Sequence, residues 1–513
     1  MGKLLPGYKK ALFDELKTNI SSNTSQYYVF ASNPVEYTGN TPTVTSDDYS
    51  TIFYNDWNLL FGKKLTNNNI MPIIKNIEWT SNTIYSRYDN TSNTMYNESY
   101  YVITAPSVVG ADYEVYKCID NANGSPSLQK PNQKQPSSFQ KSDGYVWRYI
   151  TSITDSVYQK FATESYFPIY PNTTIVAGAY NYSGVEVVMI TNAGSGYISY
   201  NDGTVKSIVN STLIQIESTA STDNDFYTDN GIYIYNTLTS TSQLKTVKNY
   251  VSNSSGNWVY LDSAANATNI TPSITQYKIS PKVVFDTDAD SEPQAYTVVN
   301  TYSNSISQIV IIDTGYGVSR ANVSIVSNTI YGSGASAYAI VPSPGGHGSN
   351  PEVELNMQGY AVNFSFSNTE SGTIPSNISY NKIGIMKNIH TLNTNGTKGS
   401  VYSANTFKQI LSANVTLSSF LYQSGEIVKG QTSGSLGRVV FCNTSVLYLV
   451  GDKTFSNNEN IVSSNGNLIV PISINTLGNI YAKDIYPLYV QNINNITRSN
   501  TQSETFKLIV KIW

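Results

Sequence analysis

Most of this chain is built from short runs of apolar residues set between polar clusters. Tyr27 to Phe30, Val187 to Ile190 and Ile309 to Ile312 are such runs, each bounded by Asn, Gly, Ser or Pro, the pattern of strands separated by turns. One segment differs. From Tyr8 to Ile20, Leu12, Phe13, Leu16 and Ile20 recur at helical spacing, with Asp14, Glu15 and Lys17 on the other side, which predicts a short amphipathic helix. At the other end, Phe506, Leu508, Val510 and Ile512 alternate with Lys507, Ile509, Lys511 and Trp513, predicting a terminal strand that ties the chain end into a sheet. The expected fold is mainly β and multi-domain, with β-sandwich-like layers, a short N-terminal helix and inserted β modules.

Two stretches repeat internally. Val188 to Tyr197 and Ile309 to Val318 each run from a strand into a turn with two glycines, Gly194 and Gly196 in the first and Gly315 and Gly317 in the second. Glycine in such turns predicts a positive φ or a close backbone approach. A second pair is Gly425 to Val428, before the turn Ser433 to Gly437, and the degenerate Asn458 to Ile461; between them, 438–441 and 446–450 read as the arms of a hairpin. Two units are too few for a stacked solenoid.

Length adds a domain count. At 513 residues the chain exceeds the roughly 250 to 300 at which a single core stops growing, so at least two domains are expected. Charged residues make up 13%, against about 25% in ordinary globular proteins, so polarity comes from Ser, Thr and Asn. Tyr outnumbers Phe 41 to 16, which makes the apolar side chains amphipathic. A net charge of −4 without a basic cluster disfavours a nucleic-acid partner. The start, MGKLLPGYKKALFDEL, has no continuous apolar core of a signal peptide, and no apolar run approaches membrane-spanning length; a soluble protein made in a cytoplasm is expected, with no membrane partner.

Groups fit for catalysis are sparse. Cys118 and Cys442 are too far apart for a metal knuckle and read as two free buried thiols. His347, in the turn Pro342 to Gly348, is expected to hydrogen-bond a loop, and His390 to sit at a cap or core edge; no nucleophile elbow accompanies either. Paired carboxylates, the minimum for glycoside hydrolysis, are offered by Asp112/Glu114, Asp223/Asp225/Asp229, Asp286/Asp288/Asp290/Glu292 and Glu352/Glu354. The third group alternates on one strand face or within one loop, where it reads as a solvated acidic loop or, through hard oxygens, a calcium ligand set. No catalytic, cofactor-binding or metal residue is assigned, and no cofactor is expected.

The segment from Tyr113 to Asp120, a proline-bearing polar stretch, and Ser142 to Tyr149 together resemble the signature of the baseplate wedge protein of T-even-like contractile-tailed phages. There, a strand with a Y-R-C-L-D type ending precedes a proline loop and a G-D-G-Y-V-W-E-Y type strand. The residues carrying the likeness are Tyr116, Cys118, Asp120, Asp143, Gly144, Tyr145, Val146 and Trp147. Further similar segments are Tyr27 to Ser32, Trp57 to Leu60, Ile77 to Trp79, Lys382 to Asn388, and Ile485 to Val490 through Val510. The likeness is colinear and spans about half the residues. Arg148 stands where the family has an acidic residue, Ser142 where it has glycine, and long insertions occur near 185–300 and 405–480. The implied plan is an N-terminal framework (1–184), an inserted β region (185–300), framework continuation (301–404), an inserted hairpin module (405–480) and closing strands (481–513). The resemblance implies a non-enzymatic virion protein of the tail baseplate. It would form a homodimer and contact other wedge subunits and peripheral fibre-bearing proteins. A tail adhesin binding host glycans is the alternative, and a polysaccharide depolymerase acting through Asp288 or Glu352 a third.

Overall fold

The computed structural model describes residues 4–22, 25–33, 58–197, 201–328, 332–367, 370, 376–393, 396–416, 422–451, 455–471, 473–474, 480–485, 487–499 and 501–512. Trp57, Tyr486 and Trp513 lie outside them. The protein is mainly β, in antiparallel sheets. No helix among the described residues is long and apolar enough to cross a membrane. Two compact units are present, one formed by 1–73 with 358–513 and the other by 74–357. The block expected as an N-terminal framework, 1–184, therefore contributes to both.

In the first unit, the expected helix is Pro6–Ser21, started by Pro6, whose ring suits the first helical turn. Phe13 and Ile20 are buried, whereas Leu12, expected on the same face, stands exposed. A five-stranded sheet runs in the order Thr406–Lys408, Leu59–Lys64, Tyr27–Ser32, Ser379–Lys387, Pro487–Thr497. A second sheet pairs Gly359–Ser367 with Ser503–Lys511, so the C-terminal alternation forms a strand as expected. Aromatic rings join the two sheets, Phe366 of the second meeting Phe61 edge-on at 4.8 Å and Tyr380 at 6.4 Å. Such pairs add about 0.5–1.5 kcal/mol each beyond the area they bury. Residues 410–474 supply a seven-stranded sheet with its own core, including Val428, Val439, Leu447, Leu449 and Ile461. Its hairpin pairs Arg438 with Val450 and Cys442 with Leu447, and the two copies of the second repeat run into neighbouring strands, in which Gly430 stands opposite Ile461 and Val428 opposite Ser463.

The second unit holds three sheets. Tyr101–Thr104, Tyr113–Asn121, Tyr145–Ile153 and Phe139–Gln140 form one. A seven-stranded sheet from 201–280 encloses a core that includes Ile214, Ile232, Tyr250, Val259 and Tyr277. A six-stranded sheet begins at Ser305–Asp313 and ends at Val187–Ser195, so the two copies of the longer repeat are its two edges. The segments flanking the edges meet at both ends through backbone bonds, Val185 N–H to Thr314 O at 2.8 Å and Val318 N–H to Ser183 O at 3.0 Å at one, and Tyr197 N–H to Asn304 O at 2.9 Å at the other. All four repeat glycines adopt positive φ, and a Cβ on Gly315 would lie 2.2 Å from Ser291 O. Both reasons offered for these glycines therefore apply.

Three short helices, Asp155–Phe161, Thr173–Gly178 and Pro351–Glu354, have no counterpart in the sequence pattern. Each is at most two turns long, too short to show an apolar periodicity. Many tyrosines act as staples: Tyr28, Tyr100, Tyr101 and Tyr145 bury their rings and donate their hydroxyls to the carbonyls of Ala404, Glu354, Lys75 and Ser125. A phenylalanine would fill the same space and leave those carbonyls unpaired.

Candidate functional site

Strands Tyr113–Asn121 and Tyr145–Ile153 are antiparallel neighbours, with Cys118 opposite Trp147 and Asp120 opposite Val146. Their alternation separates two environments. Tyr116, Cys118, Tyr145 and Trp147 face one aromatic core, in which Tyr145 stacks on Trp147 at 5.4 Å. Burial pushes the Cys118 thiol well up, keeping it protonated and inert. Cys442 is half-buried, where full burial was expected. Asp143 holds the proline-bearing loop: Oδ2 accepts from Leu128 N at 2.7 Å, Gln129 N at 2.8 Å and Ser127 Oγ at 3.3 Å, and Oδ1 from Tyr145 N at 3.2 Å. Gly144, at φ +90°, turns the chain into the strand, and Val146 is half-buried. Asp120 accepts from Ala122 N at 3.2 Å and pairs with Arg87 at 3.4 Å. All eight motif residues thus belong to one turn and the two strands beside it.

On the opposite face, between Val115 and Ile119, stands Lys117, fully buried. Its ammonium donates to Ser343 Oγ at 2.8 Å and Glu354 Oε2 at 3.0 Å, meets His347 Nδ1 at 2.9 Å, and lies 3.7 Å from the centre of the Tyr88 ring. Directly across the strand pair is Arg148, 1% exposed. Like charges at opposed positions are destabilising, and two carboxylates compensate. Glu354 pairs with Lys117; Glu186 lies 3.6 Å from Arg148 Nη1 and 3.7 Å from His347 Nε2. Arg148 Nη2 also donates to Tyr182 O at 2.9 Å. Burial, then the cations Lys117 and Arg148, push the His347 pKa well down, so the ring is neutral and the cluster sums to zero charge.

The turn containing His347 and the helix Pro351–Glu354 close over this cluster. Glu354 Oε1 accepts from Gly348 N at 2.8 Å and Asn350 N at 3.1 Å. His347 was expected to bond within a loop; it reaches a buried strand lysine instead, because the turn folds inward and leaves the ring 3% exposed. Lys117 and Glu186 were not singled out in the sequence. The available signal was the run Val115, Lys117, Ile119 and its partner Val146, Arg148, Ile150: a cation at the inward position of a buried strand on both sides of one ladder.

The other candidates do not converge. Asp288 accepts from the Ser319 hydroxyl and from the backbone N–H groups of Ser319 and Arg320, which hold its carboxyl well below the usual range, and Asp286 pairs with Arg320 at 3.1 Å. Asp290 takes the Tyr180 hydroxyl, and Glu292 accepts from Thr287 Oγ1 at 2.7 Å. Asp286 and Asp288 thus share Arg320, through its side chain and its backbone, while Asp290 and Glu292 each serve a separate contact. Glu352 is buried in the helix Pro351–Glu354, and His390 is half-buried on the strand His390–Leu392. Among the described residues, no group of three or more His, Cys, Asp or Glu is placed to hold a metal. An open cleft of 720 Å³ lies along the middle of the seam between the repeat strands, lined by Val187 to Ile190 and Ser307 to Ile311, with Arg87, Asp120, Asn123 and Glu186 also on its wall. No known family model matches this chain, and no curated protein matches it.

Proposed function

We propose that the protein is a structural virion component: a baseplate wedge subunit of a contractile phage tail that assembles as a homodimer and links neighbouring wedge and fibre-bearing proteins. What carries this reading is where the resembling segments fall. The strands Tyr27–Ser32, Leu59–Lys64, Ser379–Lys387 and Pro487–Thr497 are consecutive neighbours in one sheet. The two halves of the central motif, 113–120 and 142–149, are likewise adjacent in another. The seven-stranded sheets at 201–280 and 410–474 lie within the stretches that depart from the family. Segments scattered along the sequence but contiguous within each of two sheets support the reading of a shared framework with modules added to it.

The charged cluster supports a role through shape. Apart from Glu186, which borders the open cleft, its charged members are enclosed, and all are matched to one another, so the energy of the arrangement goes into fixing two strands, a turn and a short helix. An obligate dimer of this kind buries more than about 2,000 Å². Sedimentation of the purified protein tests the dimer, and a map of the intact tail tests its place. A strict monomer at high concentration, together with a baseplate map that leaves no room for this chain, removes the reading. Binding of the isolated protein to host polysaccharide would favour the adhesin alternative.

A further inference from the structure

The buried pair Lys117 and Glu354 is arranged as more than an ion pair. Lys117 Nζ lies 3.0 Å from Glu354 Oε2, and the two side chains are 0% and 3% exposed. The other oxygen of that carboxyl, Oε1, accepts from the N–H groups of Gly348 at 2.8 Å and Asn350 at 3.1 Å, and the Gly348 N–H also reaches Oε2 at 3.1 Å. Two backbone donors on one carbonyl-type oxygen are the geometry that stabilises a tetrahedral oxyanion. His347 Nδ1, 2.9 Å from Nζ on a neutral ring, is placed to take a proton from the nitrogen. The cluster also includes Arg148, Glu186 and Ser343, and the Tyr88 ring covers Nζ. We infer that Lys117 and Glu354 condense to an intramolecular amide that cross-links the strand Tyr113–Asn121 to the helix Pro351–Glu354.

The step balances without a co-reactant. Transfer of a proton from the ammonium to the carboxylate through their hydrogen bond gives a neutral amine and a carboxylic acid, and burial, which lowers the Lys117 pKa, favours release of that proton. The amine lone pair forms the Nζ–Cδ bond, and the negative charge gathers on Oε1 between the two N–H groups. His347 then removes a proton from Nζ, a proton reaches Oε2, the Cδ–Oε2 bond breaks, and one water leaves. Fixed placement replaces a bimolecular encounter, worth an effective concentration of about 10⁵ to 10⁸ M in well-oriented intramolecular reactions. Exclusion of water from the site favours the amide over its hydrolysis. The bond would close a loop of chain between 117 and 354 and would hold whether or not the protein serves in a baseplate.

Mass spectrometry of the full-length protein, unfolded in acid so that an ion pair cannot persist, tests this directly. The expected result is an intact mass below the sequence mass by one water. Fragmentation of a protease digest should then identify a branched peptide joining Lys117 to Glu354. Lys117→Arg should restore the full mass. Glu354→Gln, which keeps the acyl carbon, should lose ammonia in place of water. A wild-type protein at its full sequence mass overturns the inference, as does a water loss that maps anywhere else; neither result bears on dimer formation.

Discussion

Replacing Arg148 with methionine removes one cation from a cluster whose charges sum to zero. Arg148 is 1% exposed, while Glu186, at 14%, borders the open cleft, so the carboxylate left behind is only partly compensated by water. At their separation of 3.6 Å the attraction is about 5 kcal/mol with an effective dielectric of about 20. Part of this is returned, because methionine does not carry the cost of burying the Arg148 cation. The expected net loss is about 3 kcal/mol, the lower end of what breaking one partner of a buried pair costs. Glu186→Gln added to Arg148→Met restores neutrality and should recover at least half of that loss. The assay is urea unfolding of the four proteins of the cycle, read by tryptophan fluorescence; three of the five tryptophans, Trp79, Trp147 and Trp258, lie in residues 74–357. A loss under about 1 kcal/mol for the single variant, or a double variant as unstable as the two singles added together, would refute the idea of a charge-matched unit.

The other predictions concern separate parts of the molecule. Asp143→Ala removes the acceptor of three backbone N–H groups and should cost about 2–3 kcal/mol, with faster proteolysis between 126 and 138, while Asp143→Asn should cost less because it keeps one acceptor oxygen. His347 is neutral when folded but titrates near pH 6.5 when unfolded, so the unfolded chain binds the extra proton and stability falls as pH drops below about 6.5, by up to about 1.4 kcal/mol per pH unit; His347→Gln should flatten unfolding midpoints measured between pH 6.5 and 5, and an unchanged slope would contradict the assignment. Gly315→Ala meets both a positive φ and the Ser291 carbonyl, and should cost more than about 2 kcal/mol by thermal or urea unfolding, whereas Gly425→Ala, at positive φ in open space, should cost about 1 kcal/mol.

How much of this was legible in the sequence differs by element. The hairpin at 438–450 and the terminal strand could be read because alternation over several residues has a strong local signature. The repeat glycines could be read because a positive φ is a local demand that few residues meet. The helices of four to seven residues could not, since they complete too few turns to show a period. The exposure of Leu12 was equally hidden: helical spacing gives a face, and the packing partner decides how much of that face is covered. The charged cluster shows the same division. Its residues at 117, 148, 186, 343, 347 and 354 are far apart in sequence, and no local pattern links a glycine-rich turn to a strand more than two hundred positions earlier.

By itself, then, the sequence determined the class of structure, the strand-and-turn grammar, the low charge and the tyrosine excess, all of which follow from neighbouring residues. Only the tertiary structure decided what those features are for. Tyrosine hydroxyls are spent on carbonyls brought near by folding, and Lys117, Arg148, Lys382, Arg498, Glu352, Glu354, Glu459 and Glu504 are buried although charge is scarce. A charge enters the interior only where folding delivers its partners, and for Lys117 those partners come from a turn and a short helix at the far end of the same unit. The cost of burying an ion is fixed by solvation, but its compensation depends on contacts distant in sequence.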